Sequence, residues 1–100
     1  MSPHIQLPRR AIVLDAVAPL FGATLLIGSL RTPCFHPFDV EYRGTAIATG
    51  FVSRDSAGIA IDLFQRHGAA RLLSCSGAAT ADAAWQLGRA LEGLKAAATP

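Results

Sequence analysis

Charge is scarce in this chain. Of its 100 residues only 16% are Asp, Glu, Lys or Arg, while 51% are apolar, a balance that argues against a disordered chain and predicts a surface poorer in charge than a free monomer usually carries. Burial of part of that surface in a partner accounts for the deficit. The basic residues, Arg9, Arg10, Arg31, Arg43, Arg54, Arg66, Arg71, Arg89 and Lys95, are scattered, and the formal net charge is only +2. That distribution argues against a dedicated nucleic-acid surface.

Cysteine is scarce too. Cys34 and Cys75 are too few and too far apart for a disulfide framework, which favours a reducing, cytoplasmic setting. Cys34, His36, His67 and Cys75 are residue types that hold zinc, but no Cys-x-x-Cys or His-x-x-x-His pair is present, so neither a metal nor a cofactor is expected. Periodic repeats are missing. Ser53, Ser56, Ser74 and Ser76 lack a nucleophile-elbow context, and nothing supplies base, nucleophile and orienting group together. Asp39 and Glu41 read as the solvated side of a strand rather than as a pair for acid–base work.

One long apolar run is present, Ala11 to Leu30, flanked by Arg9, Arg10 and Arg31. Its length suits a membrane span. Against that, Asp15 would cost about 3 kcal/mol at a helix centre, and Pro19, Gly22 and Gly28 weaken a helix further. A secretory signal fits no better: the apolar core before Asp15 is short, and Arg31-Thr32-Pro33 precedes Cys34 where a lipoprotein site needs small residues. The run is therefore read as two buried strands of a soluble protein, Ala11 to Val17 and Thr24 to Leu30, separated by a turn at Ala18-Pro19-Leu20-Phe21-Gly22.

The rest of the chain is organised around Phe38 to Ser76. Phe38, Val40 and Tyr42 alternate with Asp39, Glu41 and Arg43, the period of a half-buried strand. Arg43-Gly44 can turn the chain into a returning strand, Thr45 to Val52, in which Ala46, Ala48 and Gly50 leave a smooth face for a close neighbour. Ser53, Asp55 and Ser56 compete as N-caps, and Ala60, Leu63, Phe64 and His67 follow helical spacing, so a helix is expected over about 56–67, ended at Gly68. Arg71 to Cys75 reads as a buried strand. A last helix runs from Thr80 as N-cap, with the inner stripe Ala84, Leu87, Gly88, Leu91, Leu94 and Ala98 and with Trp85 at its margin.

These readings predict an α+β fold, or a small α/β one. Four to five short strands form one mixed sheet with two helices packed on it, about 56–67 and 80–97, in the order ββββαβα. All of it makes one domain, 1–100, with 1–10 and 98–100 flexible.

One place in that plan would make a site by its architecture. Cys75-Ser76-Gly77-Ala78-Ala79-Thr80 puts a thiol at a strand end ahead of a helix, where free N–H groups and the helix dipole can lower a thiol pKa and receive an anion. Ser76, Gly77 and Thr80 are the candidate anion or ligand contacts, and Cys75 is the candidate nucleophile. The loop loosely resembles the active loops of rhodanese-like sulfurtransferases and cysteine phosphatases. It departs from both: Ala81 stands where a cysteine phosphatase has Arg, and Ala78 and Thr80 stand where the rhodanese pattern has Gly and Arg. No family is assigned on that likeness. The expected function is a binding or structural domain acting through self-association or a protein partner. The alternative is a small cysteine-dependent or anion-binding enzyme using Cys75 to Thr80.

Overall fold

Alternation at period two governs the middle of the chain, and two tight turns convert it into a meander. The computed structural model describes residues 10–99. Strands β2 (Cys34–Tyr42) and β3 (Thr45–Asp55) pair antiparallel with Tyr42 opposite Thr45. Their two-residue turn holds Arg43 at φ 51° and Gly44 at φ 77°, the left-handed pair that matches the twist of the flanking strands. Strand β4 (Gly58–Gln65) returns along β3 with Asp55 opposite Gly58. Here the Asp55 carboxylate accepts a hydrogen bond from the Ala57 N–H at 2.8 Å, an Asx-type closure. Strand β5 (Arg71–Ala78) pairs antiparallel with β4.

On the other side of β2 lies β1 (Arg10–Val13), parallel to it, with Arg10 opposite Phe38 and Val13 opposite Glu41. The sheet order is β1-β2-β3-β4-β5. A parallel neighbour requires a crossover, and helix α1 (Pro19–Gly28) supplies it. The Leu14 N–H continues the ladder to the Glu41 carbonyl at 2.9 Å, so the odd-numbered residues of β2 direct their backbone groups toward β1. Pro37 lies on that side and has no N–H for a further rung.

Helix α2 (Thr80–Ala98) packs over β4 and β5 and against α1, while α1 also contacts β1. Both helices lie on one face of the sheet. Phe38, Val40, Ala48, Val52, Ile59, Ile61 and Leu63 point to them and are buried, together with Ala23, Leu26 and Ile27 of α1 and Ala83, Leu87 and Leu91 of α2. These residues form one core, and among the described residues no polar or charged residue is buried. Gly50 lets β3 lie close to the Asp62 backbone and the Phe38 ring: a Cβ there would stand 2.7 Å from Cζ of Phe38 and 2.6 Å from the Asp62 carbonyl oxygen. The opposite face, with Phe35, Asp39, Thr49, Phe51 and Asp62, is covered by no described element.

The α+β class, the mixed five-stranded sheet, the Arg43-Gly44 hairpin and the terminal helix agree with the sequence reading. Three placements differ. Residues 56–67 are a turn and strand β4, not a helix, because Ile59, Ile61 and Leu63 satisfy a period of two and are all buried. Residues 24–28 belong to α1 instead of a strand: Pro19, read as part of a turn, occupies the first helical position, where its missing N–H has no partner to lose. The order is therefore βαββββα rather than ββββαβα, and the one crossover connects β1 to β2. The Ala11 to Val17 strand is shortened to Arg10–Val13, with the Ala16 and Val17 N–H groups turning back to the Val13 carbonyl.

Among the described residues no helix is long and apolar enough to cross a membrane, α1 having ten residues. Of the segments expected to be flexible, 1–9 and 100 lie outside the described residues. Arg10 is in β1 and Ala98 ends α2.

Candidate functional site

The corner where β5 hands over to α2 is built by two glycines. Gly77 has φ 71° and Gly58, across from it on β4, has φ 131°. A Cβ on Gly58 would stand 2.7 Å from the Gly77 carbonyl carbon, so only glycine lets these backbones approach so closely. The chain leaves β5 at Ala78, passes through Ala79 and enters α2 at Thr80. Ala79 occupies the N-cap position with no side chain able to cap, and Thr80, expected as the cap, is the first helical residue.

A shallow pocket of about 420 Å³ opens at this corner, walled by Arg54, Asp55, Ala57, Gly58, Gly77 and Thr80 among others. Of the residues singled out from the sequence, Gly77 and Thr80 line it and Ser76 and Cys75 do not. Arg54, which sequence reasoning missed, is brought there by the β3–β4 turn. Its guanidinium donates to Thr80 Oγ1 at 3.1 Å and to the Leu30 carbonyl at 3.4 Å. A cation thus stands beside the first turn of a long helix, whose N–H groups also attract negative charge. Asp55 puts an opposing carboxylate in the same wall, held by the Ala57 N–H.

Cys75 sits on β5 opposite Ile61, half-buried and packed against the core. Burial pushes its thiol pKa up from the ordinary value of 9.0, a hydrogen bond from the Ile61 backbone pulls the other way, and the Asp62 carboxylate adds to the rise. A raised pKa keeps the thiol protonated and opposes nucleophilic use. Both cysteines are free. Cys34 and His36 lie on β2, His67 in the turn after β4 and Cys75 on β5, with two strands between β2 and β5. Among the described residues no three His, Cys, Asp or Glu side chains converge as metal ligands.

A second concavity, about 570 Å³, runs between β1 and α1 and is lined by Arg10, Ile12, Val13, Val17, Leu25 and Ser29 among others. It is largely apolar, with Arg10 hydrogen-bonded to Ser29 Oγ at one end.

The largest departure from a well-covered surface is the apolar one. On the helical layer Leu20, Phe21 and Leu25 of α1 and Trp85 of α2 are exposed. On the sheet face opposite the helices Phe35 and Phe51 are 63% and 39% exposed and stack on each other, with ring centroids 5.5 Å apart. Comparison with family models, with curated proteins and with solved structures finds no match.

Proposed function

We propose that this chain is a small association domain, acting through self-association or by holding a protein partner, and that it performs no chemistry of its own. The observation that carries the reading is the exposure of Leu20, Phe21, Leu25 and Trp85 on the helical layer. Single exposed apolar residues are ordinary, but several large ones on one pair of adjacent helices mark an interaction surface. Helix α1 adds weight, being apolar all round except for Thr24, a pattern that suits a helix with neighbours on most sides. Free cysteines accord with a reducing, cytoplasmic location. Sedimentation equilibrium over a wide concentration range tests the reading, with an average mass rising above the 10.5 kDa of one chain as the expected outcome. A constant monomer mass counts against self-association.

A second reading is supported by Arg54 beside Thr80 at the start of α2: an anion-binding corner using Gly77 and Thr80, with Ser76 and Cys75 close by in sequence. Titration with inorganic phosphate, followed through the amide resonances of residues 77–82, tests it. Shifts that vanish in Arg54→Gln support the corner, and an unresponsive spectrum removes it. Fast alkylation of Cys75 below pH 7 would bring back a cysteine-dependent activity.

A further inference from the structure

The outward side of α2 carries more information than its exposure alone. Ala83, Leu87 and Leu91 turn inward and are buried, while Asp82, Trp85, Arg89, Glu92 and Ala96 are all exposed. Their spacing of three, four, three and four residues lines them up as one stripe along the helix. The stripe holds one large apolar ring, one cation, two anions and one methyl group. Trp85 is 55% exposed, and the Arg89 guanidinium lies over its ring, 5.1 Å from the centroid. Beside it runs a groove of about 460 Å³ lined by Leu20, Trp85, Gly88, Arg89, Glu92 and Gly93.

We infer that the occupant of this face is a second copy of the chain, its α2 lying antiparallel on the first about a two-fold axis that passes between Ala90 and Leu91. This rests on the association reading above and names the surface and the partner. In that register Arg89 faces Glu92 of the second copy and Glu92 faces its Arg89, so symmetry makes the ion pair twice. Trp85 faces Ala96 of the second copy, the bulkiest side chain of the stripe against the smallest, again twice. Charge and size are thus complementary in one and the same register, as an isologous interface requires. Centring the axis on Arg89 or on Glu92 instead would set like charges together. Leu20, packed against Gly88, borders the stripe and extends the apolar area that the second copy covers.

The sheet face that no described element covers is the rival surface for a second copy. It carries Glu41 and Asp62 beside Phe35 and Phe51, with Arg71 further off over the Phe64 ring, and two such faces brought together would set carboxylates against each other near the stacked rings, which costs affinity. On α2 the cations Arg89 and Lys95 offset the carboxylates Asp82 and Glu92.

Sedimentation of four proteins, wild type, Arg89→Glu, Glu92→Arg and the double variant Arg89→Glu/Glu92→Arg, tests the inference, with Phe51→Ser as a marker of the sheet face. The wild type is expected to dimerise, each single charge reversal to weaken the dimer about tenfold or more, and the double reversal to regain most of the loss, because it rebuilds the same pairs with exchanged signs. Phe51→Ser is expected to leave the dimer intact. The chain has a single tryptophan, so a blue shift of its emission with rising concentration reports burial of Trp85 directly. A dimer that ignores both single reversals, or that Phe51→Ser disperses, overturns the helical interface and leaves association standing. A wild type that stays monomeric at every concentration overturns self-association as well.

Discussion

Leu20 of α1 fills the space in which a side chain at Gly88 of α2 would lie: a Cβ at Gly88 would stand 2.8 Å from Cδ1 of Leu20 and 3.0 Å from its Cα. The two helices cross at this point, and the glycine sets how closely they approach. Glycine within a helix costs about 1 kcal/mol against alanine, so its presence in α2 has to be offset by packing.

Gly88→Ala is therefore expected to destabilise the fold by about 1–2 kcal/mol. The gain in helix propensity is outweighed by overpacking against Leu20, whose backbone is part of the clash. Gly93, one turn and a half further along α2, has nothing within 4 Å of its missing Cβ, and Gly93→Ala is expected to stabilise by up to about 1 kcal/mol. Urea denaturation of both variants, at concentrations where dilution no longer moves the midpoint, should show shifts of opposite sign.

Gly50→Ala is a harsher change. The added methyl would meet the Asp62 carbonyl oxygen at 2.6 Å and the ring of Phe38 at 2.7 Å, so the central strand must separate from its neighbour or the ring must leave a fully buried position. A loss of about 3 kcal/mol or more is expected, read as a lowered midpoint in the same denaturation experiment.

The uncapped start of α2 offers a gain. Ala79 sits at the N-cap with extended backbone, φ −68° and ψ 157°, the conformation a capping serine or aspartate adopts. Ala79→Ser is expected to stabilise by about 1 kcal/mol through a hydrogen bond to a first-turn N–H. A thermal midpoint that rises by a few degrees checks it.

Cys75 should be slow to react. With its thiol pKa raised by burial, and further by Asp62, alkylation by iodoacetamide at pH 8 is expected to be slower in the folded chain than in urea, and Asp62→Asn should speed it. The folded value lies above the unfolded one, so this group leaves stability untouched below the ordinary thiol value of 9.0 and lowers it as the pH climbs past that value. The stability difference between the parent chain and Cys75→Ser, measured from pH 7 to 11, should be constant at first and then change against the parent.

Where the sequence could be read and where it could not follows from how many alternatives each segment offers. Phe38 to Thr45 has one answer: strict alternation ahead of Arg43-Gly44 suits a hairpin alone. Thr80 to Ala98 also has one, since its apolar positions recur only at helical spacing. Gly58 to Gln65 satisfies two periods, with Ala60, Leu63 and Phe64 on a helical face and Ile59, Ile61 and Leu63 on a strand face. Tertiary pairing with β3 and β5 decides for the strand. Asp55 deepened the ambiguity, because an aspartate that caps a helix also closes an Asx turn. In Pro19 the chain carries a residue that both interrupts a helix and begins one. The corner at Gly77 and Thr80 was visible as a strand leading into a helix. Arg54 is hidden in the sequence, since its arrival there depends on the β3–β4 turn, and the β4 segment also fits a helical period.

The sheet order, in which every strand lies beside the next in the chain, bears on how the fold is reached. Turns of two to a few residues bring β2 to β5 together with little loop-closure entropy, so the meander can assemble early. The contact between Leu20 and Gly88 joins elements at opposite ends of the described chain and belongs late in the sequence of events. Gly88→Ala should consequently leave the refolding rate nearly unchanged and show its whole effect as faster unfolding, whereas Gly50→Ala, in the middle of the meander, should slow refolding itself.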